Sequence, residues 1–133
     1  MDIKETAKNI IQTLKLVPDE YVKIDVIDLA WDDRPEIRVN SQSTKPDNFT
    51  QTGGSINSET PLSIHVLARD RNEALVMMTQ AANAVYHHFE TLEQTPKSGI
   101  LCITLAEYNA VQIAEVHAFH AFAVFHILHH SNL

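Results

Sequence analysis

The stretch Leu62–Leu92 constrains this chain more than any other, because it reads as a strand, a tight turn and a long helix in succession. Leu62, Ile64, Val66 and Ala68 alternate with Ser63, His65 and Leu67, the period of two that turns one side of a pleated strand toward a core. Asp70 stands three residues before Glu73, a spacing at which the Asp carboxylate accepts from free N–H groups of a first helical turn while Glu73 reaches back. Beyond it, Leu75, Met78, Ala82, Val85, Phe89 and Leu92 recur at steps of three and four, which places them on one helix face. That stripe is the expected contact with a sheet. Asn72, Glu73, Gln80, Asn83, His87 and Glu90 leave the other side wet.

The flanking segments extend the pattern. Residues 2–15 put Ile3, Ala7, Ile10, Ile11 and Leu14 at helical spacing, predicting an amphipathic helix that ends before Pro18. Tyr21 to Asp28 alternates Val22, Ile24 and Val26 against Lys23 and Asp25, and Glu36 to Asn40 alternates with Ile37 and Val39 inward. Between these two strands, Trp31 to Pro35 form a break. Residues 41–59 carry almost no apolar side chains besides Phe49 and Ile56, so they predict a long polar loop or the tip of a long hairpin. A run at Ile100–Leu105 reads as a short strand. In the closing run AVQIAEVHAFHAFAVFHILHH the alanine spacing permits one long helix, but Phe119, Ala121, Ala123, Phe125 and Ile127 alternate with His120, Phe122, Val124 and His126, and aromatic and β-branched residues dominate, which favours a strand covered on both faces. The expected fold class is α+β: a mostly antiparallel sheet with an N-terminal helix and one long helix packed on one face, in a single domain.

The chain has 133 residues, enough for one real core. Its one cysteine, Cys102, lies in the apolar run ILCITL, so an internal disulfide is impossible and a buried inert thiol is expected. The N-terminus lacks the apolar core of a signal peptide and no segment has the apolar length of a membrane helix, which predicts a soluble protein made in the cytoplasm. A net charge of −7 opposes the basic footprint of a protein that grips phosphates. The same charge suits a surface past which DNA must slide without adhering.

Chemistry is sparse. The sequence holds no G-x-S-x-G motif, no P-loop and no glycine-rich turn between strand and helix, and Gly53-Gly54 leads into no helix. The carboxylates Asp32 and Asp33, and Asp25 with Asp28, adjoin a break, where caps and solvated turns are the ordinary use. No enzyme activity, cofactor or metal is expected. Eight histidines are nonetheless many, and His117, His120, His126, His129 and His130 crowd the C-terminal segment. On a helix, His126 with His129 or His130 could share a metal ion, so a small His-rich metal-binding module or metalloenzyme is the alternative reading. On a strand, His120 and His126 share a face but stand about 20 Å apart, too far for one ion, and a subunit contact is the plainer role. Trp31, Tyr86 and Phe89 could instead line a small-molecule pocket, although core packing accounts for them more simply.

The order of elements resembles the tail terminator or tail completion proteins of tailed bacteriophages. The resemblance is carried by DRPEIRVN after a break, by TPLSIHVLARDRNEALVMMTQAANAVYHHFETL as strand, charged turn and long helix, and by VQIAEV and FAVFHIL as a closing pair of strands. It covers most of the chain and rests on hydrophobic pattern and element order. The C-terminal histidines and residues 41–59 lie outside it. The resemblance implies a virion protein, assembled in the host cytoplasm, that forms a homo-oligomeric ring, usually a hexamer. Such a ring caps the tail tube protein, faces the head–tail connector protein and lets DNA pass through its lumen; a head–tail connector or minor capsid protein is the neighbouring alternative. The interface residues expected on this reading are Lys45, Asp47, Asn48, Phe49, Thr50, Gln51, Ser55 and Asn57 in the polar segment, with His120 and His126 near the end.

Overall fold

The computed structural model describes residues 2–26, 30–41, 45–52, 55–113 and 118–130. The elements run α1 (Ile3–Thr13), a 3-10 turn (Asp19–Tyr21), β1 (Val22–Ile24), β2 (Glu36–Ser41), β3 (Lys45–Thr52), β4 (Ser55–Ala68), α2 (Arg71–Glu93), β5 (Ile100–Ile113) and β6 (Ala118–His130). The strands form one sheet of order β1-β2-β4-β6-β5, with β3 also paired to β4. Every described pairing is antiparallel except β1 with β2. The fold is thus the α+β arrangement that the sequence pattern predicts.

Both helices pack on one side of the sheet. Ile37 and Val39 of β2, Ile64 and Val66 of β4, and Ala123 and Ile127 of β6 are fully buried on that side. Against them α1 contributes Ile3, Ala7 and Ile11, and α2 contributes Ala74, Met78, Ala81, Val85 and Phe89. Asp2 caps α1 by accepting from Glu5 N, and Asp70 caps α2 by accepting from Glu73 N at 2.9 Å. The α2 cap therefore forms at the residue that the Asp-x-x-Glu spacing marks. No described helix is long and apolar enough to cross a membrane.

Several elements depart from the sequence expectations. The strand expected over 21–28 is only Val22–Ile24, because Asp19–Tyr21 turns as a 3-10 helix and Asp25 takes a positive φ of 60°, a conformation Asp tolerates. Residues 27–29 lie outside the described residues. Of the two forms expected for 41–59, the described part adopts the hairpin rather than the open loop: Lys45 pairs with Glu59, Asp47 with Asn57 and Thr52 with Ser55. Ladder hydrogen bonds come from the backbone and need no apolar side chain, and Pro46 is tolerable on an edge strand. The β2 register ends at Leu62 and the β3 register at Glu59, so Pro61 stands at the changeover between them. The short strand expected at 100–105 continues to Ile113, with register shifts near Cys102 and Glu107. The last segment is the strand expected, but only Ala118 and the odd positions from Ala121 to His129 are buried, and its second face is partly open.

Candidate subunit interface

Away from the helices, the second face of the sheet is polar near β2 and mixed toward β5. Glu36 is fully buried there and bonds Arg38 Nε and, at 2.8 Å, Lys23 Nζ. Arg38 donates on to the Ala30 carbonyl at 2.8 Å, and Asn40 donates to the Val26 carbonyl. This network ties the connection between β1 and β2 to the open face. Such a buried cluster holds together because each charge keeps a partner.

Beside it, antiparallel register places His65 of β4 opposite both Arg38 and Phe122. The His65 and His120 rings stack, with centroids 4.9 Å apart, and share a hydrogen bond of 2.7 Å between Nδ1 and Nε2. The other His65 nitrogen meets Ser63 Oγ at 2.9 Å. Burial, helped by the His120 ring and the Arg38 guanidinium, pushes His65 down to about 4, and burial with Arg38 lowers His120 as well. Neutral imidazoles are thus the resting state of this pair. Farther along the same face, His126 pairs with Glu59 and His130 meets Asn57 Oδ1. His129 points the other way, buried against Thr60 Oγ1 at 2.8 Å.

These positions separate the histidines that the sequence groups. His126 and His130 share a face as strand spacing predicts, His129 does not, and His117 lies outside the described residues. Among the described residues, no three His, Cys, Asp or Glu side chains are grouped to hold a metal ion. The alternative of a pocket lined by Trp31, Tyr86 and Phe89 together is not what the structure forms. Phe89 is fully buried and Trp31 donates to Arg34 O in the connection between β1 and β2. Asp25 pairs with Lys4, Asp32 accepts from Tyr21 and Arg34, and Asp33 pairs with Arg69, as caps and turns would; Asp28 lies outside the described residues.

Of the interface residues expected in the polar segment, Lys45, Asp47, Asn48, Phe49, Thr50 and Gln51 fall on β3, and Ser55 and Asn57 on β4. The hairpin they form extends β4 past the end of β2, and through Asn57 and His130 it joins the histidine-bearing face. His120 and His126 both lie on that open face. The sequence reading missed His65, whose partner is 55 positions away. It also missed β5. Leu105, Tyr108 and Val111 of that strand are about half exposed, as is Val76 of α2. Tyr108 touches Thr79 Oγ1 at 3.2 Å and, with Ala82, Tyr86, Leu105 and Phe125, lines a groove of about 350 Å³ between α2 and β5. The signal was available: from Ile100 to Ile113 the chain holds one charge, Glu107, and many β-forming residues.

No known family model matches this sequence, and no curated protein matches it. Among solved structures, a chain of the "Virion of native gene transfer agent (GTA) particle" is similar, with a TM-score of 0.58 over 91% of this chain and 84% of that chain. Sequence identity is 9%. The two chains share a fold. The match spans most of both, so it includes the sheet and its helices rather than one supersecondary unit.

Proposed function

We propose that this protein is a structural component of a phage-like virion, and more narrowly a tail-terminator-type protein that forms a homo-oligomeric ring. The observation that carries the reading is the shared fold with a chain of a gene transfer agent virion, spanning 91% of this chain. The element order that resembles tail terminators agrees with it, and so does the outer edge of β5, which pairs with no strand among the described residues. On this reading the ring, built from six copies as the resemblance implies, caps the tail tube protein and faces the head–tail connector. The net charge of −7 suits a lumen through which DNA slides without specific contacts. The hairpin of β3 and β4 and the His120 and His126 face are the surfaces offered to neighbours.

The test is native mass spectrometry and negative-stain microscopy of the purified chain across a range of concentrations. A closed ring with a central hole wide enough for a DNA duplex is expected. A strictly monomeric protein at high concentration would remove the reading.

A further inference from the structure

We infer that successive copies join edge to edge: the outer edge of β5 in one copy pairs antiparallel with the outer edge of β1 in the next, with Glu107 facing Lys23 of the neighbouring copy. The contact rests on the ring-forming reading and specifies its surfaces. Among the described residues, no strand pairs with the outer side of β1 or of β5, which end the sheet path. An edge is a row of unpaired N–H and C=O groups, and proteins that keep it free guard it with lysines, prolines or short strands. β5 spans 14 residues and carries neither lysine nor proline, whereas β1 spans three with Lys23 at its centre, so that edge is closed to a strand that does not answer the lysine with a carboxylate, as Glu107 does.

Direction and face both fit. β1 runs parallel to β2, and each later step of the path, to β4, β6 and β5, reverses direction, so β1 and β5 run opposite ways. A head-to-tail neighbour therefore presents β1 to β5 as an antiparallel pair with the helices of both copies on one side. Tyr108 is on the helix side, touching Thr79, and Val22 is buried on the same side. Glu107 is opposite Val124 and Lys23 is opposite Arg38, which places both on the other face. Setting Glu107 against Lys23 thus sets Tyr108 against Val22, matching apolar to apolar and negative to positive. Opposite charges directly across a ladder stabilise it and like charges weaken it. The competing two-fold pairing of β5 with itself brings Glu107, at the middle of the strand, against its own copy. Lys23 keeps 37% of its side chain exposed while bonded to Glu36, so it can reach a second carboxylate. A heterologous contact of this kind closes into a ring when its rotation permits.

Disulfide trapping tests the contact. In a Cys102→Ser background, the double variant Lys23→Cys with Glu107→Cys should give, on oxidation, covalent multimers up to the ring size on a denaturing gel, while each single cysteine variant gives none. Dimers from Glu107→Cys alone would show two-fold pairing and overturn the inference. So would an uncrosslinked double variant that native mass spectrometry shows to be a ring, an outcome that leaves the ring reading intact. A wild-type chain that stays monomeric in the same spectrometer removes both. Should Lys23→Cys fail to fold, Glu107→Lys on the exposed edge decides: loss of the ring is expected, and an unchanged ring overturns the contact.

Discussion

His65 and His120 occupy a place where burial and the nearby Arg38 guanidinium both work against an imidazolium, and this makes stability depend on pH. The folded chain holds His65 at about 4, below its ordinary value of 6.5, so the unfolded chain binds more protons between those values. The stabilisation is complete above the unfolded value and is lost as pH falls from about 6.5 toward 4. Converting the whole shift at about 1.4 kcal/mol per unit overstates the effect for a partly exposed ring, and a loss of about 1–2 kcal/mol is expected. Urea midpoints of wild type and His65→Gln, compared at pH 7.5 and 4.5, measure it. Equal pH dependence in the two chains would refute the assignment. Glu36 makes a second residue-scale case, fully buried between Arg38 and Lys23. Glu36→Ala leaves Arg38 buried without this carboxylate and should cost about 3 kcal/mol, read as a lower urea midpoint at pH 7.5; a midpoint within error of wild type would contradict the buried network.

At the scale of elements, periodicity and capping were legible wherever an element meets the core on one side only. Asp70 and the alternation of Leu62 to Ala68 gave the turn and the strand directly. The helix stripe was read one step off centre: Leu75 and Leu92 are partly buried, while Ala74, Met77 and Ala81 lie inward. Alanine signals burial weakly, yet it lets α2 lie close to the sheet, and a helix that also meets α1 buries a broad face. Ala81→Leu should therefore overpack this contact and cost about 1–3 kcal/mol. Asp70→Ala removes a cap and should cost about 1 kcal/mol. Both are measured as urea-unfolding midpoints, and an Ala81→Leu variant as stable as wild type would place the helix farther from the sheet than described. The full length of β5 was legible in composition but not in period. Its register shifts near Cys102 and Glu107 break strict alternation, and its outer residues face solvent, so the period of two fades. The candidate interface was half legible: the shared face of His120 and His126 follows from strand parity, whereas His65 joins them only through tertiary pairing.

For the whole molecule, the exposed apolar side chains are distributed unevenly. Val76, Leu105, Tyr108 and Val111 gather on α2 and β5, at the end of the sheet opposite β1. A head-to-tail contact through β5 would cover this apolar end. Leu105 and Val111 are 53% and 43% exposed, so replacing both with lysine removes little folding energy, within about 0.5 kcal/mol per site. Lysines on an open edge also oppose strand pairing with another chain. The expected result is a folded chain with wild-type circular dichroism and a nearly unchanged urea midpoint that sediments as a monomer at concentrations where wild type assembles. A ring that survives both lysines would move the assembly contact away from β5, and a chain that unfolds would mean these side chains belong to the core rather than to an edge awaiting a partner.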